Sequence, residues 1–387
     1  DAFIDTTFLS RQLVSTPEAR YAGVIAFGLD GTRGRRRAAY QIQNELSLGD
    51  KLQRDALSLS WRDAIAPGWR IAMTPSLEWR RDRTLGRDQE EWRGAFRGRV
   101  RRSFADDANG AELGLSGDVL RTSGVGSEFV PDRNAGRAWL AVDHLGLLGD
   151  EWRVGYGLAS RVFPDSSVRD HFEHGWEGRV RRIFPGGHAL TLETTGQRRQ
   201  THLTVASTRD NFWREEGIAE ADLRAGDRWA VRVRAEGEAL QYDVQDSTVF
   251  FDYQVIRGRV ALRYESAAHW TLAAGPRVEL LTNRLNPGEA YRELGGAVEF
   301  EWIGAGALWN VAPAAGRRTY DEGSDAGLSG GLHSPFAFYE LESFVDQPLP
   351  ARLRLRALAS LRYESHTDPA QNAGSIYTSV QLRWAVY

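Results

Sequence analysis

The segment Trp69-Arg-Ile-Ala-Met-Thr-Pro-Ser-Leu-Glu-Trp79 decides how the whole chain reads. Trp69, Ile71, Met73, Pro75, Leu77 and Trp79 alternate with Arg70, Ala72, Thr74, Ser76 and Glu78. A β-strand points successive side chains to opposite faces, so this spacing predicts a strand with one apolar and one polar side. The template recurs. Trp229, Val231, Val233, Ala235, Gly237 and Ala239 alternate with Arg232, Arg234, Glu236 and Glu238. Trp270, Leu272, Ala274, Pro276, Val278 and Leu280 alternate with Thr271, Arg277 and Glu279. Leu353 to Tyr363 alternates with Arg352, Arg354, Arg356, Ser360 and Arg362, and Val380, Leu382, Trp384 and Val386 close the chain in the same way. These segments run about 10–12 residues, the length a tilted strand needs to cross a bilayer. Strands of soluble proteins are typically about 5–6 residues.

Outward from these segments, turn signals stand at Ala66-Pro67-Gly68, Asp106–Gly110, Pro185-Gly186-Gly187, Ala225-Gly226-Asp227 and Pro348-Leu349-Pro350. Longer polar connections alternate with them: 80–91, 122–136, 164–174, 200–211, 283–290, 317–331 and 365–374. Counting back gives about 19 strong strands and a weaker one at Ala2–Val14, hence an even barrel of roughly 18–20. Residues 1–387 are then used up as a single domain. The alternation slips between Val255 and Val260, where a bulge at Gly258 is expected.

Composition narrows the function classes. The 387 residues hold no Cys, which excludes disulfides, Cys-based metal sites and Cys nucleophiles. Lys+Arg number 49 against 52 Asp+Glu, a formal net charge of −3, and Lys51 is the only lysine. Such a balance gives no reason to expect nucleic acid as a partner. Mean hydropathy is −0.45, and no apolar run is long enough for a transmembrane helix. The chain begins at Asp1 without Met or a signal peptide, as a processed protein or excised domain would.

A soluble sandwich also alternates, but three features favour lipid. The strands are long. The polar faces carry too many charges to cover a dry core. Tryptophans crowd the strand ends, and Trp69, Trp79, Trp92, Trp176, Trp229, Trp270, Trp302 and Trp384 are read as a girdle at the lipid–water boundary. Lipid forbids an open sheet edge, so closure is expected. The chain resembles the bacterial outer-membrane β-barrels, the class that includes porins and polysaccharide-export barrels, through its hairpins, girdle Trp and periplasmic C-terminus. The resemblance covers essentially the whole chain and names no subfamily. It departs at the end, where Tyr387 falls out of phase with Val380, Leu382, Trp384 and Val386. It implies an all-β, single transmembrane, antiparallel up-and-down barrel in the outer membrane of a Gram-negative bacterium. Lipid, lipopolysaccharide and a transported solute or polymer are the partners it implies.

With apolar faces toward lipid, the alternate residues line a lumen. The candidates are Arg97, Arg99, Arg101, Arg179, Arg181, Arg232, Arg234, Arg352, Arg354 and Arg356, with Glu236, Glu238, Glu299 and Glu301. Charges there must be hydrated or paired. Arginine rings favour anions in pores, whereas Arg–Glu ladders across neighbouring strands would simply hold the wall together. The expected function is an outer-membrane channel, porin-like or exporting a solute or exopolysaccharide, that favours anionic cargo. The alternative is a scaffold or secretion barrel whose lumen or loops hold a periplasmic or surface protein. A barrel hydrolase is the third reading. Asp143-His144 point to opposite faces, His171-Phe-Glu-His174 and His366-Thr-Asp368 fall in connections, and no nucleophile elbow is read, so no catalytic residue is assigned. No metal or cofactor is expected. The loop acids Glu128 and Asp132, then Asp165, Asp170 and Glu173, then Asp321, Glu322 and Asp325, read as solvated charge.

Overall fold

An extended strand leaves its N–H and C=O groups pointing sideways, where another strand satisfies them. The computed structural model describes residues 22–33, 38–49, 52–83, 88–104, 108–125, 127, 130–146, 149–201, 211–244, 252–267, 269–283, 287–304, 306–320, 334–350 and 352–384. Nineteen strands lie among them. The first ten are β1 (Ala22–Arg33), β2 (Ala38–Gly49), β3 (Leu52–Ala66), β4 (Trp69–Asp82), β5 (Asp88–Phe104), β6 (Asn109–Val125), β7 (Arg133–Leu145), β8 (Glu151–Val162), β9 (His171–Ile183) and β10 (Ala189–Thr201). The others are β11 (Phe212–Ala225), β12 (Trp229–Tyr242), β13 (Tyr253–Glu265), β14 (Trp270–Asn283), β15 (Tyr291–Gly304), β16 (Ala307–Tyr320), β17 (Phe336–Pro348), β18 (Leu353–His366) and β19 (Ala373–Trp384). The weak strand expected at Ala2–Val14 and the out-of-phase Tyr387 lie outside the described residues.

The chain divides into two compact units. The first holds β1 to β8, the start of β9 and the end of β10; the second holds the rest of those two strands and β11, from Trp213, through β19. Consecutive strands pair antiparallel from β1 to β8 in the first unit. They do so again from β12 to β19 in the second. This is an up-and-down arrangement with strands of 12 to 17 residues, longer than expected because they extend into the connections. The connection expected at 80–91 shrinks to 83–87, and that at 122–136 to 126–132. From β3 onward short turns alternate with longer connections, as the sequence predicts. Gly68 shows why a turn needs glycine: its φ is +72° and a Cβ there would stand 2.7 Å from the Ser103 carbonyl oxygen.

The expected bulge at Gly258 is absent. β13 runs against β12 in unbroken register from Leu240↔Tyr253 to Trp229↔Tyr264. The apparent slip arises because Val255, an apolar residue, sits on the polar face, where it is buried. The irregularity of register falls instead between Asp63 and Ala66 of β3.

Burial is inverted relative to a water-soluble protein. Leu115, Leu140 and Leu158 in the first unit and Ile256, Leu262 and Leu294 in the second are all at least half exposed. The few buried apolar side chains among the described residues are five Ala with Leu120, Val255, Phe336 and Phe338. An apolar sheet face this continuous requires an apolar solvent. Trp69, Trp229 and Trp270 open β4, β12 and β14, and Trp302 stands two residues from the end of β15. Trp302 meets Trp309 with centroids 5.4 Å apart, at the short-turn ends. Trp79 and Trp92 meet at 6.4 Å toward the long connection after β4. Trp384 ends β19. Trp176 lies mid-strand in β9, its ring where a Cβ of Gly196 would be.

Candidate functional site

The polar faces carry the chemistry, and register decides what each charge meets. In the second unit four arginines stand directly opposite carboxylates. Arg257 stands opposite Glu279, Glu293 opposite Arg318, Glu340 opposite Arg362, and Asp346 opposite Arg356. The resulting bonds are short: Arg257–Glu279 3.0 Å, Arg318–Glu293 2.8 Å, Arg362–Glu340 2.6 Å and Arg356–Asp346 2.9 Å. Arg277 bridges Glu293 and Glu340, each at 2.8 Å. Phe338, fully buried, lies 4.7 Å from the Arg277 guanidinium and 5.7 Å from that of Arg362. Arg318 lies 3.9 Å over the Tyr291 ring. Delocalised guanidinium planes stack on rings and bind carboxylates along their edges, so the cluster satisfies both. Several expected lumen residues belong to this cement. Arg232 binds Asp222 at 2.9 Å and Arg234 binds Glu236 at 2.6 Å. Glu238 holds Arg214 at 2.9 Å, Glu299 holds Arg259 at 3.2 Å, and Arg354 joins Arg356 on Asp346. Glu301 faces Thr271 and Asn310. Arg352 lies before β18, in the turn, with φ +61°.

In the first unit Arg62, Arg97, Arg99 and Arg137 face small residues, although Arg93, Arg101 and Arg153 face Glu78, Glu112 and Asp143. One cross-strand row reads Arg62, Ala72, Arg99, Gly114, Trp139, Gly157. The next reads Thr74, Arg97, Ser116, Arg137, Ala159. Without opposing side chains the wall recedes into a cavity of about 1190 Å³. Seven arginines line it: Arg62, Arg93, Arg97, Arg99, Arg137, Arg153 and Arg161. The same lining holds four carboxylates, Glu112, Asp118, Glu173 and Glu177, and Arg153 also lies 3.8 Å from Asp143 outside it. Arg153 reaches Glu177 at 2.7 Å, but Arg99 stands 3.9 Å from Glu112 and Arg93 3.8 Å from Asp118. Arg62, Arg97 and Arg137 are exposed and, among the described residues, make no ion pair. Toward the short-turn end, Arg101 makes a two-pronged bond to Asp143, both contacts 2.6 Å. Arg179 binds Glu151 at 3.0 Å. Of the expected site residues, then, Arg97 and Arg99 come together at this cavity, and Arg101 lies beside them. Arg62, Arg137 and Trp139 were not singled out by the sequence, because their importance depends on register.

The loop acids have structural work. Asp132 accepts from the Thr122 amide at 2.7 Å, and Asp170 from the Phe163 amide at 2.7 Å. Asn211, Asp252 and Asn372 accept likewise from Thr201, Tyr242 and His366. Each acceptor immediately precedes a strand, so one Asx side chain closes each of these five connections onto the strand that entered it. Glu173 holds the buried His171 at 3.1 Å. Glu128, Asp321, Glu322 and Asp325 lie outside the described residues.

Two serine arrangements bear on catalysis. A Gly-x-Ser-x-Gly spacing does occur at 327–331, outside the described residues. The motif's chemistry needs a strand-to-helix turn, and the element after it is β17. Ser334 Oγ lies 2.6 Å from His366 Nδ1 and donates to Gln371 Oε1 at 2.8 Å.

No family model matches this chain, and no curated protein does. Solved structures do match. The siderophore receptor PirA from Pseudomonas aeruginosa is similar over 93% of this chain and 70% of its own, with 9% identity and a TM-score of 0.60. The alcaligin outer-membrane receptor FauA from Bordetella pertussis is similar over 93% of this chain and 68% of its own, with 12% identity and a TM-score of 0.56. These likenesses establish the architecture: the fold is that of the Gram-negative outer-membrane β-barrels.

Proposed function

We propose that this chain is a single-domain outer-membrane channel. Its polar faces line an aqueous path, its apolar faces meet lipid, and its short turns and C-terminus lie on the periplasmic side. The observation that carries the reading is the cavity in the first unit, where seven arginines meet four carboxylates. That excess of fixed positive charge on a hydrated wall favours anions entering the path. The expected cargo is an anionic solute or polymer. The likeness to two receptors of the same architecture is in keeping with a transport role and leaves the direction open. Residues Trp69, Trp79, Trp92, Trp229, Trp270, Trp302 and Trp384 serve as the interfacial belt in this reading.

The test is conductance of the folded protein in a planar bilayer, with the reversal potential measured under a potassium chloride gradient. Steady conductance with chloride favoured over potassium is expected. A demonstrably folded protein that stays silent would contradict an open path and favour a barrel filled by a partner chain.

A further inference from the structure

The basic shelf of the first unit has a feature that anion steering alone does not need. Along β3 to β8, Trp139 is the one tryptophan on the polar face; Trp61, Trp69, Trp79, Trp92 and Trp152 sit on the apolar face. Its ring lies flat on Gly114, where a Cβ would come within 1.9 Å of the ring atoms. Its indole N–H points to Glu112 Oε1 at 3.4 Å. These two contacts fix the plane, and the ring borders the cavity. Arg97 and Arg137 stand one row away, on either side of Ser116. They are two strands apart, so their backbones are separated by about 10 Å, and long side chains from both can close on one anionic group. Neither has an ion-pair or hydrogen-bond partner among the described residues. Ser58, Thr74, Ser76 and Ser116 add hydroxyls to the same cavity wall.

We propose that this shelf is a binding site for an acidic sugar. The argument rests on the channel reading for its access and deepens that reading by naming the cargo class. A pyranose ring presents a face of weakly positive C–H groups, which suits the negative face of the Trp139 indole. Its carboxylate takes charge-assisted bonds from Arg97 and Arg137. Its hydroxyls meet the serine and threonine side chains. An inorganic anion would use the arginines and leave the indole idle. A neutral sugar would use the indole and leave two arginines unpaired. Only a ligand carrying both chemistries uses the whole shelf.

The experiment is isothermal titration of the detergent-folded protein with tetragalacturonate, and separately with neutral maltotetraose and with benzoate. Tetragalacturonate is expected to bind at least about tenfold tighter than either. The double variant R97Q/R137Q should weaken it by about a hundredfold, at two charge-assisted contacts. Trp139→Ala should weaken it by about tenfold, with Trp139→Phe retaining part of the affinity. Arg257→Gln, in the second unit, should leave it unchanged. Equal binding of acidic and neutral sugars overturns the proposal. So does unchanged affinity in R97Q/R137Q, equal loss in Arg257→Gln, or benzoate binding as well as the uronate. Because the titration needs no current, a silent bilayer alongside intact selective binding would reject the channel and keep the shelf. Conductance without sugar binding would do the reverse.

Discussion

The two units share one strand grammar and one set of charged residues, yet their polar faces do different things. Between β12 and β18 every polar-face arginine has a carboxylate within 4 Å. Between β3 and β8, Arg62, Arg97 and Arg137 have none among the described residues. The cause is which acids lie within reach, across the strands or along them. Arg362 lies opposite Glu340, whereas Arg97 lies between Thr74 and Ser116 and Arg99 between Ala72 and Gly114. Direct opposition is not the whole rule: Arg277 lies opposite Arg259 and Gly295 yet reaches Glu293 and Glu340 on other strands, whereas Arg93 lies opposite Glu78 and still borders the cavity. Of the two explanations weighed from the sequence, the ladder describes the paired arginines of the second unit, and the anion path is proposed for the unpaired ones of the first.

That contrast can be broken in four graded ways. Glu293 is almost fully buried and holds two arginines. Glu293→Ala leaves Arg318 without a carboxylate among the described residues and Arg277 with Glu340 alone, and should cost about 3–5 kcal/mol, read as a lowered urea midpoint of unfolding from lipid vesicles. Gly114→Val drives a side chain into the Trp139 ring and should cost about 1–3 kcal/mol by overpacking. A reduced Tm together with shifted near-ultraviolet circular dichroism would register it. Asp170→Ala removes the acceptor of the Phe163 amide and should cost about 1 kcal/mol. That loss should appear as faster proteolytic cutting within 163–170, with global stability scarcely changed. Arg97→Ala breaks no contact and should stay within about 0.5 kcal/mol of the parent in the same urea assay. If Arg97→Ala destabilised as much as Glu293→Ala, the two faces would not differ as described.

Most of the architecture was legible in the sequence. The alternation from Trp69 to Trp79 predicted β4, and the same template predicted β12, β14, β18 and β19, because a lipid-facing strand must write its two faces into alternate residues. The count of about 19 strong strands matched for the same reason. The bulge at Gly258 failed because alternation treats every valine as apolar-facing, and Val255 is not. The site was less legible. Arg97 and Arg99 were named from their crowding, but Arg232, Arg234, Arg354 and Arg356 looked the same and proved to be paired. A single strand records which face a residue takes, not which residue stands across from it, so Trp139 over Gly114 had no sequence signal. The Asx closures did have one: Asp132, Asp170, Asn211, Asp252 and Asn372 each stand directly before a strand.

The most direct test of the central claim compares reversal potentials, under one salt gradient, for three proteins: the parent, the first-unit reversal R97E/R137E and the second-unit reversal R257E/E279R. The account predicts that R97E/R137E moves the preference from chloride toward potassium, while R257E/E279R, which swaps a closed pair, leaves the parent's anion preference in place. Equal shifts in both variants, or none in R97E/R137E, would contradict the assignment of the selective lining to the unpaired arginines of the first unit.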